Sequence, residues 1–156
     1  MTGKSRLSTR FVLGCSVVLA MIAQIEGVAG KGVKVLHAFD GSDGSLPSGL
    51  IMLKGGNLFG TTQDGGSGAS CIGGGCGVVY ELAPDGTETV LHSFTDKPDG
   101  GMPNGPLIAD KKGNLYGTTY LGGNSENGLG TVFEVTSGGK EKVLYPFRAA
   151  ALEKFL

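Results

Sequence analysis

Residues 56–62 read GNLFGTT and residues 113–119 read GNLYGTT, and each heptad is followed two residues later by a Gly-Gly pair, Gly65-Gly66 or Gly122-Gly123. The match extends in both directions. Downstream, GVVYEL at 77–82 returns as GTVFEV at 130–135. Upstream, DGSLPSGLI at 43–51 returns as DGGMPNGPLI at 99–108, one residue longer in the second copy. A third motif brackets the two copies: VLHAF at 35–39, VLHSF at 90–94 and VLYPF at 143–147, at successive offsets of 55 and 53 residues. The chain is therefore a tandem repeat, and its architecture must be read one unit at a time.

Within a unit the apolar runs are short, rich in Val, Leu, Thr and aromatic residues, and bounded by Gly, Asn, Asp or Pro, as strands in an antiparallel meander are. This predicts strands over 49–53, 57–62, 77–82 and 87–94, with counterparts over 105–109, 114–119, 130–135 and 141–147. Pro84-Asp85-Gly86 joins the third strand to the fourth, and Ser137-Gly138-Gly139 does the same in the second copy. Pro146 has no N–H to give a ladder and suits an outer edge strand. The expected fold is all-β, with tandem four-stranded antiparallel repeats resembling β-propeller blades. Two units fall short of the four to eight blades of a closed propeller, so the propeller is incomplete. Unpaired edges and apolar faces then predict homo-oligomerisation or marginal stability. The expected organisation is a signal peptide at 1–29, a leading strand at 33–39, unit one at 40–94, unit two at 95–147 and a C-terminal tail at 148–156.

Composition agrees with a turn-dense β structure. The 156 residues include 30 Gly and 6 Pro, with 40% hydrophobic residues and a net charge of -1, a balance that lets the chain bury apolar surface. No cluster of Lys and Arg offers a nucleic-acid footprint. At the N-terminus, Lys4, Arg6 and Arg10 precede a mostly apolar run at 11–25, and Gly27 and Ala29 supply the small residues of a cleavage site after Ala29. That run is short for a bilayer span and is broken by Gly14, Ser16 and Gln24, so a secretory signal is preferred to an uncleaved membrane anchor. The apolar stretch before Cys15 is too short for a lipoprotein signal. The expected location is secreted, cell-surface or periplasmic, with no membrane association beyond the signal segment. Removing the leader leaves Cys71 and Cys76 as an even pair in a four-residue excess confined to the first copy, and a local disulfide is expected there.

Few residues suggest chemistry. His37 and His92 share a repeat position that Tyr145 fills the third time, which favours satisfied scaffold histidines over metal ligands. Asp40 with Asp43-Gly44, and Asp96 with Asp99-Gly100, repeat an Asp-x-x-Asp-Gly turn. Calcium is the metal such oxygens would suit, but Asx turns are the preferred reading because a ligand-dense twelve-residue loop is absent. No cofactor and no catalytic residue is expected. Residues that break the repeat are a better guide to binding. Gln63, Asp64, Tyr120, Asn124 and Glu126, with the loop between Cys71 and Cys76, form the candidate ligand-binding region between the second and third strands. Trp is absent, and Phe59, Tyr116 and Tyr120 are the rings left to stack on a sugar.

With these motifs in place, the chain resembles the choice-of-anchor tandem repeat proteins called GloVer, whose unit runs from Asp-Gly through Pro, Gly-Leu-Ile, GNLYGTT, a Gly-Gly turn and GTVFEL to a closing VLHSF. The resemblance covers about residues 33–147. It implies an exported or cell-surface repeat protein and no enzymatic role. After Phe147 the Asp-Gly that would open a third unit is replaced by Arg148, three Ala residues and LEKFL, which suggests a truncated or frameshifted array, or a fragment of one. The expected function is a non-enzymatic module for surface display or for recognition of carbohydrate or protein. The alternative is a fragment of a secreted propeller-type polysaccharide lyase or hydrolase.

Overall fold

The computed structural model describes residues 32–68, 71, 74–123 and 128–148. The chain divides after Val35 into Met1–Val35 and Leu36–Leu156, and both sheets lie in the second unit. The expected signal peptide and the residues of the tail beyond Arg148 lie outside the described residues. Among the described residues no helix is long and apolar enough to cross a membrane.

The described chain is all-β. The first sheet contains β1 (Ser45–Met52), β2 (Leu58–Asp64), β3 (Val78–Leu82) and β4 (Glu88–Ser93) in consecutive antiparallel order. The second contains β5 (Gly101–Pro103), β6 (Ile108–Ala109), β7 (Leu115–Leu121), β8 (Thr131–Val135) and β9 (Glu141–Pro146), with β5 and β6 both paired to β7. The second unit thus has five strands where four are expected. Its first strand is split where Pro106, the extra residue of this copy, falls between Gly105 and Leu107, and Pro106 cannot donate to a ladder. Pro146 sits on edge strand β9, opposite Thr131.

The turns explain where the strands stop. Gly86 donates to the Ala83 carbonyl at 2.9 Å, and Gly139 donates to Thr136 at 2.8 Å, each glycine holding the positive φ that closes the turn. Both copies carry a bulge at the same place. Val79 faces His92 while Tyr80 faces Val90, leaving Leu91 over; Val132 faces Tyr145 while Phe133 faces Val143, leaving Leu144 over.

One expectation fails. Residues 33–39 do not join either sheet as a leading strand. Their counterpart at 90–94 reaches β3 through the Val79–His92 pair, whereas no strand of a preceding unit lies beside 33–39 among the described residues.

The principal core is the seam between the sheets. Cys76, Val79 and Phe94 of the first unit pack with Leu107, Leu115, Phe133 and Val135 of the second, supported by Ile51, Phe59 and Leu91. Period-two alternation produces this seam: Val79 points into it, while Val78, Tyr80 and Leu82 form a separate cluster with Phe39 and Leu58 on the far face of the first sheet.

Candidate functional site

Each unit receives the end of the preceding VLHxF motif through an aromatic contact and a histidine–aspartate hydrogen bond. In the first, His37 Nε2 lies 2.8 Å from Asp43 Oδ2, and the Phe39 ring meets Tyr80 edge-on at 5.0 Å. In the second, His92 Nε2 lies 3.0 Å from Asp99 Oδ2, and Phe94 meets Phe133 edge-on at 5.0 Å. The histidine stacks on its own phenylalanine at 4.8 Å in both cases. A glutamate at the start of the fourth strand completes each cluster, Glu88 beside His37 and Asp43, and Glu141 beside His92 and Asp99. The Glu88 and Glu141 carboxyls are pushed above the usual carboxylate range, first by burial, with the neighbouring aspartate adding to it and the histidine opposing. In each, Oε1 is buried without a hydrogen-bond partner.

The ligand atoms of His37, Asp43 and Glu88 lie within 4.8 Å of one another, a spacing that a divalent cation can use. The imidazole nitrogen and Asp43 Oδ2 are, however, already spent on each other. Two further aspartate oxygens are also engaged. Asp43 Oδ1 accepts from the Asp40 amide, and Asp40 Oδ1 accepts from the amide and hydroxyl of Ser42. These are Asx turns, with the histidine serving as a clasp.

Asp99 shows the balance most clearly. Burial raises its pKa, but hydrogen bonds from His92 and from the hydroxyl and amide of Thr95 outweigh this and hold the carboxyl below its ordinary range. A carboxyl depressed by folding stabilises the protein above its unfolded pKa, and that contribution is lost as pH falls through the folded value. Asp99→Asn is therefore expected to cost about 1.5–3 kcal/mol at pH 7, the worth of hydrogen bonds to a charged group. The gap between variant and parent should narrow below about pH 4. Urea midpoints at pH 7 and pH 3 measure it, and an unchanged gap would show that the charge is not responsible.

Between the second and third strands the two copies share a fixed loop base. Gly77 donates to Gly65 at 3.0 Å, and Gly130 donates to Gly122 at 3.3 Å. Thr62 Oγ1 accepts from the Val78 amide, and Thr119 Oγ1 from the Thr131 amide, pinning the same strands from within. Above this base, Cys71 and Cys76 are joined as a disulfide with Cα atoms 5.1 Å apart. Cys76 is fully buried in the seam, so the loop is tied to the core. Reduction should cost about 2 kcal/mol from the small loop it opens. Urea melts with and without dithiothreitol, using Cys71→Ser/Cys76→Ser as reference, test this.

The candidate binding residues that are described lie on both sheets. Gln63 and Asp64 end β2 of the first sheet, with Asp64 Oδ1 buried and unpartnered. Tyr120 lies on β7 of the second sheet, 68% exposed, at the repeat position of Gln63. Asn124 and Glu126 lie outside the described residues.

A different concavity opens where the two sheets diverge. Its apolar floor is Leu53, Phe59, Leu91 and Leu115, and Lys54, Asn57, Glu81 and Ser137 supply polar groups. Asn57 donates its amide to the Glu81 carboxylate. Sequence reasoning flagged Phe59 as a ring but not the cleft, because the cleft also needs Leu115 and Ser137 of the other unit. Glu88 and Glu141 were legible as glutamates opening both fourth strands, a repeat signal that went unread.

No curated protein matches the chain. The family described as the Gloeobacter/Verrucomicrobia repeat matches residues 21–154, a span that takes in both sheets, the His–Asp clasps and the paired Gly-Gly turns. The chain belongs to the Gloeobacter/Verrucomicrobia repeat family.

Proposed function

We propose that the chain is an exported, non-enzymatic β-repeat module, with sheets arranged as propeller-like blades, that recognises carbohydrate at the cleft between its sheets. The cleft carries this reading. A sugar ring offers a C–H face and a rim of hydroxyls, and the cleft offers Phe59 over an aliphatic floor with Lys54, Asn57, Glu81 and Ser137 at its edge. The repeated geometry of the two clasps, by contrast, uses its polar groups to hold the chain together. The Cys71–Cys76 bond supports an oxidising compartment and hence export.

Calorimetry against a panel of soluble polysaccharides, with reducing and unsaturated ends assayed in the same samples, tests the proposal. Binding without new chain ends is expected, weakened at least tenfold by Asn57→Ala or Phe59→Ala. New chain ends would replace the module with the polysaccharide lyase or hydrolase reading. Absence of binding across the panel would overturn carbohydrate recognition. Export is tested by N-terminal sequencing of the protein recovered outside the cytoplasm, with Gly30 expected as the first residue.

A further inference from the structure

The seam between the sheets has two sides, and the repeat reproduces each side on an outer face of the same chain. On the first sheet, the seam side is Ile51, Phe59, Val79, Leu91 and Phe94. Their repeat equivalents on the second sheet are Ile108, Tyr116, Val132, Leu144 and Phe147. Inside the seam Phe94 is 0% exposed, whereas Phe147 is 43%, Leu144 43% and Ile108 68% exposed. Phe147 is nevertheless built like Phe94. Its amide donates to Gly130 at 2.9 Å as that of Phe94 donates to Gly77 at 3.0 Å, and Tyr145 stacks on it edge-on at 5.3 Å where His92 stacks on Phe94.

The receiving side is duplicated too. Leu107, Leu115, Phe133 and Val135 accept Phe94 in the seam. Their equivalents on the outer face of the first sheet are Leu50, Leu58, Tyr80 and Leu82, and the ring they hold is Phe39. This cover leaves Tyr80 at 3% and Leu82 at 6% exposure, but it is incomplete. Residues 36–39 belong to no strand, and Leu50 is 53% exposed where Leu107 is 2%.

We propose that copies of this chain associate head to tail, with Phe147 and the β9 face of one copy taking the place of residues 36–39 against Tyr80 of the next. The occupant is a second copy because both halves of an interface already formed once within the chain recur on its outer faces, one exposed at Phe147 and the other covered only by residues 36–39. Tyr145 would then bring a hydroxyl donor to the cluster of Asp43 and Glu88, where His37 brings a ring nitrogen. Such a contact is heterologous, so it closes into a ring or extends as a filament according to the rotation per unit.

Sedimentation of the full chain across a concentration series, with circular dichroism on each variant, tests the proposal. Parent protein should associate, and Phe147→Ala should weaken association at least tenfold while leaving the β spectrum unchanged. Phe39→Ala, which vacates the receiving face, should strengthen association, and Phe39→Ala/Phe147→Ala should lose that gain. Association indifferent to Phe147, as a leader-driven contact would be, overturns the proposal. So does a parent that remains monomeric at every concentration.

Discussion

Phe94→Ala is expected to lower the unfolding free energy by about 3–5 kcal/mol, while Phe147→Ala, measured at concentrations where the chain is monomeric, should cost about 0.5 kcal/mol or less. The two phenylalanines occupy the same repeat position and make the same backbone hydrogen bond. They differ in what lies beyond the ring. Phe94 meets Phe133 at 5.0 Å and is closed in with Val79, Leu107 and Leu115, so truncation leaves a cavity that the sheets cannot fill without moving apart. Phe147 lies at an open face. A loss of several kcal/mol is a large share of a small domain's stability, so the Phe94 variant should unfold far earlier in urea. Equal midpoint shifts for the two variants would show that the seam is not the principal core.

Gly130→Ala is the second large effect, at about 2–6 kcal/mol. Gly130 holds φ at +93°, and a Cβ there would lie 2.1 Å from the Thr119 carbonyl oxygen. The strain of the backbone conformation and the collision with a strand that cannot yield each contribute about 1–3 kcal/mol. Gly55 is the control. It has nearly the same φ, +95°, and nothing within 4 Å of an added Cβ, so Gly55→Ala should show only the conformational cost of about 1–2 kcal/mol. Paired urea melts separate the collision from the dihedral, and similar losses at the two sites would remove the close-packing explanation. Gly130 stands where β7 crosses to β8 over the fixed loop base, which is why a glycine is needed in both copies: at Gly77 the Cβ would meet the Thr62 carbonyl oxygen at 2.2 Å.

Strands and turns were legible because their causes are local. Alternating Val and aromatic residues between Pro-Asp-Gly and Gly-Gly turns dictate β2, β3, β7 and β8 wherever the unit is placed. The split of the second unit's first strand falls at its extra residue, Pro106, which the sequence shows but which was read as part of one strand. The leading strand was misread because VLHAF differs from VLHSF only in Ala38 for Ser93. A strand exists only where a neighbour completes its ladder, and residues 36–39 have none in either sheet.

The candidate site was less legible for the same reason. Repetition exposed the histidines and the Asp-Gly turns as scaffold, and the structure supplies the clasp that uses them. It took the seam to set Phe59 and Leu91 of one unit beside Leu115 and Ser137 of the other, because no spacing along the chain encodes how two sheets diverge. By itself the sequence determined the repeat, its strands, its turns and the family, all of which rest on short-range steric and hydrogen-bonding rules. Only the tertiary structure decided which copy of each repeated residue is buried. Phe94 has a following sheet to close over it and Phe147 has none among the described residues, so identical local chemistry yields a core on one side and an open face on the other.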